Sequence, residues 1–146
     1  MGKWTSDSMS HVSHMEDKDF FSSEQSHVCD GEEDVKISLK VGNETKTLKE
    51  SVKLQAGEVI DAAVMNTKAL RRFFREQIDD AKEKDILLSL HLKATMMKIS
   101  DPIMFGHCVK EYFADAFEKH AETFEKLGVN PNNGVGDAFD KIKSLP

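Results

Sequence analysis

The sequence predicts a mixed α/β fold of the α+β kind, in which short strands and a hairpin precede a helix–central strand–helix–helix series. Two observations support it. The spacing of apolar residues changes near residue 66 from a period of two to the helical period. A continuous apolar run then interrupts the helical part at 86–92. With 146 residues the chain suits one partial domain, made of a strand-rich part, 1–65, and a helical part, 66–146.

The clearest strand signal lies at 35–41, where Val35, Ile37, Leu39 and Val41 alternate with polar residues. This period-two pattern is typical of a half-buried strand. The sequence GNE then turns the chain, and TKTLKESVKL runs back to complete a hairpin. Upstream, we interpret 9–15 and 25–29 as short strands, 19–25 as their connection and 30–34 as a charged turn.

The helical part begins near residue 66, with Asn66 or Thr67 as the candidate N-cap of an amphipathic helix. The sequence ILLSLHL, 86–92, follows it. It is too short for a helix between such neighbours and is apolar on both faces. This combination predicts a buried central strand.

A second helix is predicted from the sequence SDP, where Ser100 or Asp101 can cap and Pro102 fits the first turn. Its apolar face continues to Phe124, and Gly128 provides a favourable end because glycine tolerates the left-handed conformation. A short final helix follows within 135–145.

Composition excludes several classes of protein. The net charge is −6 without a Lys/Arg block, which argues against a nucleic-acid partner. No apolar run approaches the ~18 residues that a membrane helix needs, and residues 1–15 lack the apolar core of a signal peptide. Cys29 and Cys108 lack CxxC spacing, so we expect free thiols in a reducing cytoplasm.

The most informative cation is Lys93, at the carboxyl end of the predicted central strand and just before a helix start. Ligands of open α/β sheets gather at such strand ends, and a partly desolvated lysine there can act as an acid–base catalyst. From spacing alone, a lysine that extends from a strand end to solvent is the commoner case. Lys98, deeper in the loop, is the weaker candidate, and His91 would share a strand face with Lys93.

Metal and cofactor motifs are weak. His11 and His14 would point to opposite faces of a strand, and His27 and Cys29 have no fixed partner, so we predict no metal site. GxGxxG, P-loop and GxSxG patterns do not occur. We therefore expect no cofactor-binding residues in this chain.

With the sequence SLHLKATMMKISDPIMFGH around Lys93, the chain resembles the monomeric, NADP-dependent isocitrate dehydrogenases. The resemblance covers nearly the whole chain, and DFFSSEQS is similar to the family's DFYGSEKS-type segment, with Phe21 and Ser22 as departures. The stretches that carry the resemblance are MGKWTSDSMSHVSHM, LQAGEVIDAAVMNTKALRRF, SLHLKATMMKISDPIMFGH and GVNPNNGVGDAF.

The resemblance implies oxidative decarboxylation of isocitrate to 2-oxoglutarate, with NADP and a divalent metal, Mg²⁺ or Mn²⁺, as cofactors. In this family a strand-end lysine works with a tyrosine in the acid–base steps, and by the motif HLKAT that lysine is Lys93. Tyr112, inside a predicted helix, does not match the family's tyrosine. The implied setting is the tricarboxylic acid cycle, beside the glyoxylate bypass, in the cytoplasm.

Family members are several times longer, so the resemblance implies an internal piece of the enzyme. The substrate clamp, the metal-binding aspartates and the NADP segments would lie outside these residues. We therefore expect the chain alone to lack dehydrogenase activity. The alternative is a truncated, non-catalytic product that acts as a binding or self-associating module through exposed apolar surface.

Overall fold

The computed structural model describes residues 3–92 and 98–145. The chain divides into two compact units, one formed by 17–65 and the other by 1–16 together with 66–146. Among the described residues, no helix combines the length and the hydropathy that a membrane crossing requires. The sequence-based division into parts of one partial domain stays a prediction.

The unit 17–65, here the strand-rich unit, contains two separate two-stranded antiparallel sheets. β1 pairs with β4, with Gln25 opposite Ala62, and β2 pairs with β3, with Val41 opposite Glu44. The elements are α1 (Phe20–Ser23), β1 (Gln25–Val28), β2 (Glu33–Val41), β3 (Glu44–Leu54) and β4 (Val59–Ala62). The hairpin and the strand over 25–28 are thus confirmed. The predicted strand over 9–15 is wrong, and β4 was not predicted.

The apolar face of the β2–β3 hairpin is uncovered. Gly42, with φ of 58°, makes the turn, but Ile37, Leu39 and Val41 are all exposed. The strand was predicted correctly. The predicted burial of its apolar face was wrong, because no further layer of this unit packs on the hairpin. Cys29 is the one residue of 17–65 that is fully buried.

The second unit, here the helical unit, contains α2 (Thr67–Glu83), α3 (Ser100–Tyr112), α4 (Ala114–Lys119), α5 (Ala121–Lys126), a 3-10 turn (Pro131–Asn133) and α6 (Val135–Ile142). Asn66 caps α2, since its side chain accepts a hydrogen bond from the Ala69 N–H at 3.0 Å. Gly128, with φ of 64°, ends the helical stretch as predicted.

The helix predicted to run from about residue 101 toward Gly128 is instead three helices. The backbone leaves helical geometry at Phe113, with ψ of 33°, and again at His120, with ψ of 24°. These bends bring the rings of Phe117 and Phe124 edge to face, with centroids 5.1 Å apart. A continuous helical period in the sequence does not indicate such bends, because each bend changes the backbone geometry of only one residue.

The core of the helical unit lies along one face of α2. α3 packs against α2, and this contact is reinforced by Arg71 and Arg75, which both reach the Glu111 carboxylate. The buried apolar residues are Ala69, Leu70, Phe74, Ala81, Val109 and Ala138. This is the amphipathic burial that the helical period predicts.

The central strand predicted over 86–92 is wrong for this chain. These residues take no strand or helix geometry, and Leu87 is 92% exposed. A strand apolar on both faces needs partner strands and covering layers. The described part of the helical unit offers no strand to pair with it.

Candidate functional site

The predicted catalytic residue, Lys93, lies outside the described residues, which stop at Leu92 and resume at Lys98. Two positions before Lys93, His91 is exposed, and its Nε2 lies 2.7 Å from the Ser89 hydroxyl oxygen. His91 therefore lies exposed beside Ser89 and outside any strand. Five positions after Lys93, Lys98 is also exposed.

The start of α3 places a buried carboxylate just after this segment. The N-cap is Ile99, without a side-chain cap, so the predicted cap by Ser100 or Asp101 is wrong. Instead the Asp101 side chain is buried, with the residue only 6% exposed. Its Oδ2 has no hydrogen-bond partner among the described residues. A carboxylate in the first turn gains from the helix dipole, but a buried, unsatisfied oxygen is costly unless another group completes it.

A close approach at Gly106 fixes α3 against the 3-10 turn. A Cβ at Gly106 would lie 1.9 Å from Asn132 Oδ1 and 3.0 Å from the Asn132 backbone nitrogen. Only glycine fits this contact without displacing the turn. The 3-10 turn that precedes α6 thus also fixes the orientation of α3.

Ion pairs between α2 and α3 also hold α3 in place. The Glu111 side chain is 12% exposed, and Arg75 Nη2 lies 3.8 Å from its Oε2. Nearby, burial and the positive charges of Arg71 and Lys110 lower the pKa of His107. His107 is therefore held toward its neutral form.

The histidines near the N-terminus do not share a site. His11 Nε2 lies 3.8 Å from Asp80 Oδ2, and Asp80 is also paired with Lys84. His14 makes its contact with the Met15 carbonyl at 3.2 Å. The HxxH spacing thus has no chelating arrangement in this structure.

His27 and Cys29, by contrast, gain a third neighbour that sequence spacing did not indicate. Glu33, at the start of β2, turns its carboxylate toward both. His27 Nε2 lies 2.9 and 3.1 Å from the two Glu33 oxygens. The ligand atoms of the three side chains all lie within 4.8 Å of one another. Hydrogen bonding and charge from Glu33 raise the pKa of His27.

Comparison with known proteins assigns the family. The model of the family described as monomeric isocitrate dehydrogenase matches residues 1–146, the whole chain. The chain belongs to this family.

The relatives carry the same name. Isocitrate dehydrogenase (NADP) 2 of Colwellia maris is 52% identical over 147 residues, which cover 100% of this chain and 20% of that protein. Isocitrate dehydrogenase (NADP) of Azotobacter vinelandii is 51% identical over 148 residues, with the same coverage. The Mycobacterium tuberculosis isocitrate dehydrogenase (NADP) 2 is 48% identical over 147 residues. The chain therefore spans about a fifth of the length of the relatives it matches.

The described residues do not fit the metal ion and the dinucleotide that the resemblance implies. Mg²⁺ and Mn²⁺ prefer oxygen ligands, whereas the one group of possible metal ligands found among the described residues offers a nitrogen, a buried sulfur and one carboxylate. The glycine-bearing turn at 131–136 packs on α3 and is not preceded by a strand, so it lacks the setting of a dinucleotide cradle. No reaction step can be assigned to metal or cofactor from these residues.

Proposed function

We propose that this chain is the part of an NADP-dependent isocitrate dehydrogenase that carries the acid–base lysine, Lys93. The whole enzyme oxidises the alcohol of isocitrate, transfers a hydride to NADP⁺, releases carbon dioxide and protonates the resulting enolate to give 2-oxoglutarate. The observation that supports this most strongly is the family match across all 146 residues, HLKAT included.

In this proposal Lys93 moves protons between the substrate and solvent or a partner side chain. General acid–base groups typically contribute about 10²–10⁴-fold to rate. Two features of the start of α3 support a substrate-binding role for the segment that contains Lys93. Its N-terminal dipole favours the carboxylates of isocitrate. The buried Asp101 carboxylate offers an acceptor that a nearby N–H or O–H group would complete.

We further propose that 86–92 becomes a paired strand in the whole enzyme. Its exposed leucines, Leu87, Leu88 and Leu90, form an apolar run that water solvates poorly. Strands supplied by the remaining four-fifths of the enzyme would cover it and fix the position of Lys93.

The remaining cofactors and setting belong to the whole enzyme. We propose that NADP and Mg²⁺ or Mn²⁺ bind to segments outside these residues. We place the enzyme in the cytoplasm, in the tricarboxylic acid cycle at the branch to the glyoxylate bypass. The two cysteines are free thiols, which is the state that a reducing compartment maintains.

A chimera tests the role of Lys93. Residues 1–146 replace the matching segment of the Colwellia maris relative, with which they share 52% identity. We expect this chimera to reduce NADP⁺ in the presence of isocitrate and Mg²⁺. The Lys93→Gln variant should lose about 10²–10⁴-fold in kcat, because the amide cannot exchange the proton.

Lys98→Gln in the same chimera is the matched control, since it removes a lysine five positions away whose side chain is exposed. It should retain activity within a few fold. If Lys98→Gln lost as much kcat as Lys93→Gln, or if Lys93→Gln stayed fully active, Lys93 would not be the acid–base residue.

The 146-residue chain by itself should show no isocitrate-dependent NADPH formation, because most of the active site lies elsewhere. A second function, self-association, is favoured by the exposed apolar face of the β2–β3 hairpin. Size-exclusion chromatography shows whether the chain self-associates through this face. A dimer that Leu39→Lys converts to monomer would support self-association through this face, and a monomeric wild-type chain would exclude it.

A further inference from the structure

His27, Cys29 and Glu33 form a compact group in the strand-rich unit, well separated in sequence from the Lys93 segment. Cys29 follows β1 and is anchored there by two backbone hydrogen bonds. Its N–H donates to the Glu58 carbonyl at 2.9 Å, and its carbonyl accepts from the Gly57 N–H at 2.8 Å. His27 projects from β1 two residues earlier, and Glu33 opens β2. Short, regular elements therefore fix all three side chains.

We propose that these three side chains form a binding site for a zinc-type divalent cation, with His27 Nε2, Cys29 Sγ and a Glu33 oxygen as ligands. Imidazole, thiolate and carboxylate are the protein ligands that Zn²⁺ accepts. The site is distinct from the magnesium chemistry of the dehydrogenase, and it does not depend on the proposed role of Lys93.

The geometry is close to what a tetrahedral ion requires. With metal–ligand distances of about 2.0–2.2 Å, nitrogen and oxygen ligands lie roughly 3.3 Å apart. The His27 and Glu33 atoms are 2.9 Å apart, and no pair in the group exceeds 4.8 Å. Pairs near the 4.8 Å limit would have to close by about 1.2–1.5 Å, a change that rotation of the exposed His27 and half-buried Glu33 side chains can supply. Three protein ligands leave the fourth position to a water molecule.

Access and charge also suit a cation. Cys29, only 2% exposed, forms the floor of the site, while the exposed His27 and half-buried Glu33 leave it open to solvent. Burial, together with the negative charges of Glu33, Glu58 and Asp30, raises the pKa of the Cys29 thiol. A dication would reverse this effect. It would replace the thiol proton, which passes to solvent, and one thiolate and one carboxylate would balance its two charges.

A metal here would tie the end of β1 to the start of β2. This matters because Cys29 is the one fully buried residue of the 49-residue unit 17–65, whose sheets have two strands each. Units of this size with little core commonly depend on a metal or another cross-link. The competing explanation is that the three groups only hydrogen-bond to one another.

Cobalt binding by the 146-residue chain distinguishes these explanations. We expect one Co²⁺ per chain, with the thiolate-to-cobalt charge-transfer absorption that marks a cysteine ligand, and displacement by Zn²⁺. Cys29→Ser should abolish this absorption and weaken Zn²⁺ binding by at least about tenfold. Zn²⁺ should raise the unfolding temperature of the wild-type chain but not of Cys29→Ser.

Cys108→Ser is the matched control, because the other free cysteine lies on α3 in the helical unit. It should leave the absorption unchanged, as should His14→Ala. Glu33→Gln keeps the size of the side chain, so it tests the site even if Cys29→Ser does not fold, and it should also weaken Zn²⁺ binding. Absence of the charge-transfer absorption in the wild-type chain, its dependence on Cys108, or unchanged Zn²⁺ affinity in Glu33→Gln would overturn the proposal.

Discussion

The helical unit and the strand-rich unit differ in how they use their apolar residues. Along α2, Leu70 and Phe74 are buried, and α3 packs on this helix. In the strand-rich unit the apolar face of the hairpin is exposed, and burial is complete only at Cys29. Burial of apolar area is the main stabilising contribution to folding. The helical unit should therefore hold its own structure, whereas the strand-rich unit needs something more.

The largest expected effect comes from the core of the helical unit. Phe74, which is 6% exposed, changed to Ala should lower the free energy of unfolding by about 3–5 kcal/mol, because it leaves a cavity. Urea denaturation followed by far-UV circular dichroism measures this change. The matched variant is Phe21→Ala in the strand-rich unit, where the side chain is 91% exposed, and it should change stability by less than about 0.5 kcal/mol. Equal losses of stability in the two variants would contradict the proposed difference in burial between the two units.

A smaller effect is expected where α3 meets the 3-10 turn. Gly106→Ala should cost about 1–3 kcal/mol, because the added Cβ meets both the side chain and the backbone of Asn132. Gly136→Ala, in α6, places its Cβ in open space and should instead stabilise the chain by about 0.5–1 kcal/mol. The same denaturation experiment compares the two. A neutral Gly106→Ala would mean that α3 is not fixed by this contact.

The smallest effect concerns acid stability at the start of α6. The Asn130 backbone N–H and the Lys141 side chain lower the pKa of Asp137. A lowered pKa means that the stabilisation is present above the unfolded value of about 4 and is lost as pH falls through the folded value. Between about pH 7 and pH 3, Asp137→Asn should therefore lose less stability than the wild type. Asp140→Asn, which removes a carboxylate exposed at the surface beside Lys143, should follow the wild-type curve.

The sequence predicted the elements whose signals are local. The Asn66 cap, the period of α2 and the glycine turn of the hairpin depend on near neighbours, and each was confirmed. The strand over 86–92 was wrong because a strand requires partners, which no local pattern reports. The bends at Phe113 and His120 were not predicted either, because each changes the backbone geometry of one residue and leaves the helical period of the sequence intact.

The candidate sites likewise depend on contacts that local sequence patterns do not indicate. Lys93 could be selected only through resemblance to the family, since spacing alone favoured a solvent-exposed lysine. Glu33 was not paired with His27 and Cys29, because the turn between β1 and β2, rather than a fixed motif, brings them together. The burial of Asp101 likewise depends on packing around the start of α3, which the capping pattern did not indicate.

We propose that residues 1–146 contain a folded helical unit, while the segment leading to Lys93 requires the rest of the proposed dehydrogenase. Hydrogen exchange of the isolated chain and of the Colwellia maris chimera tests it most directly. We predict slow exchange over 67–83 in both proteins, and exchange over 86–92 that is fast in the isolated chain and slow in the chimera. Slow exchange over 86–92 in the isolated chain, or fast exchange there in the chimera, would contradict it.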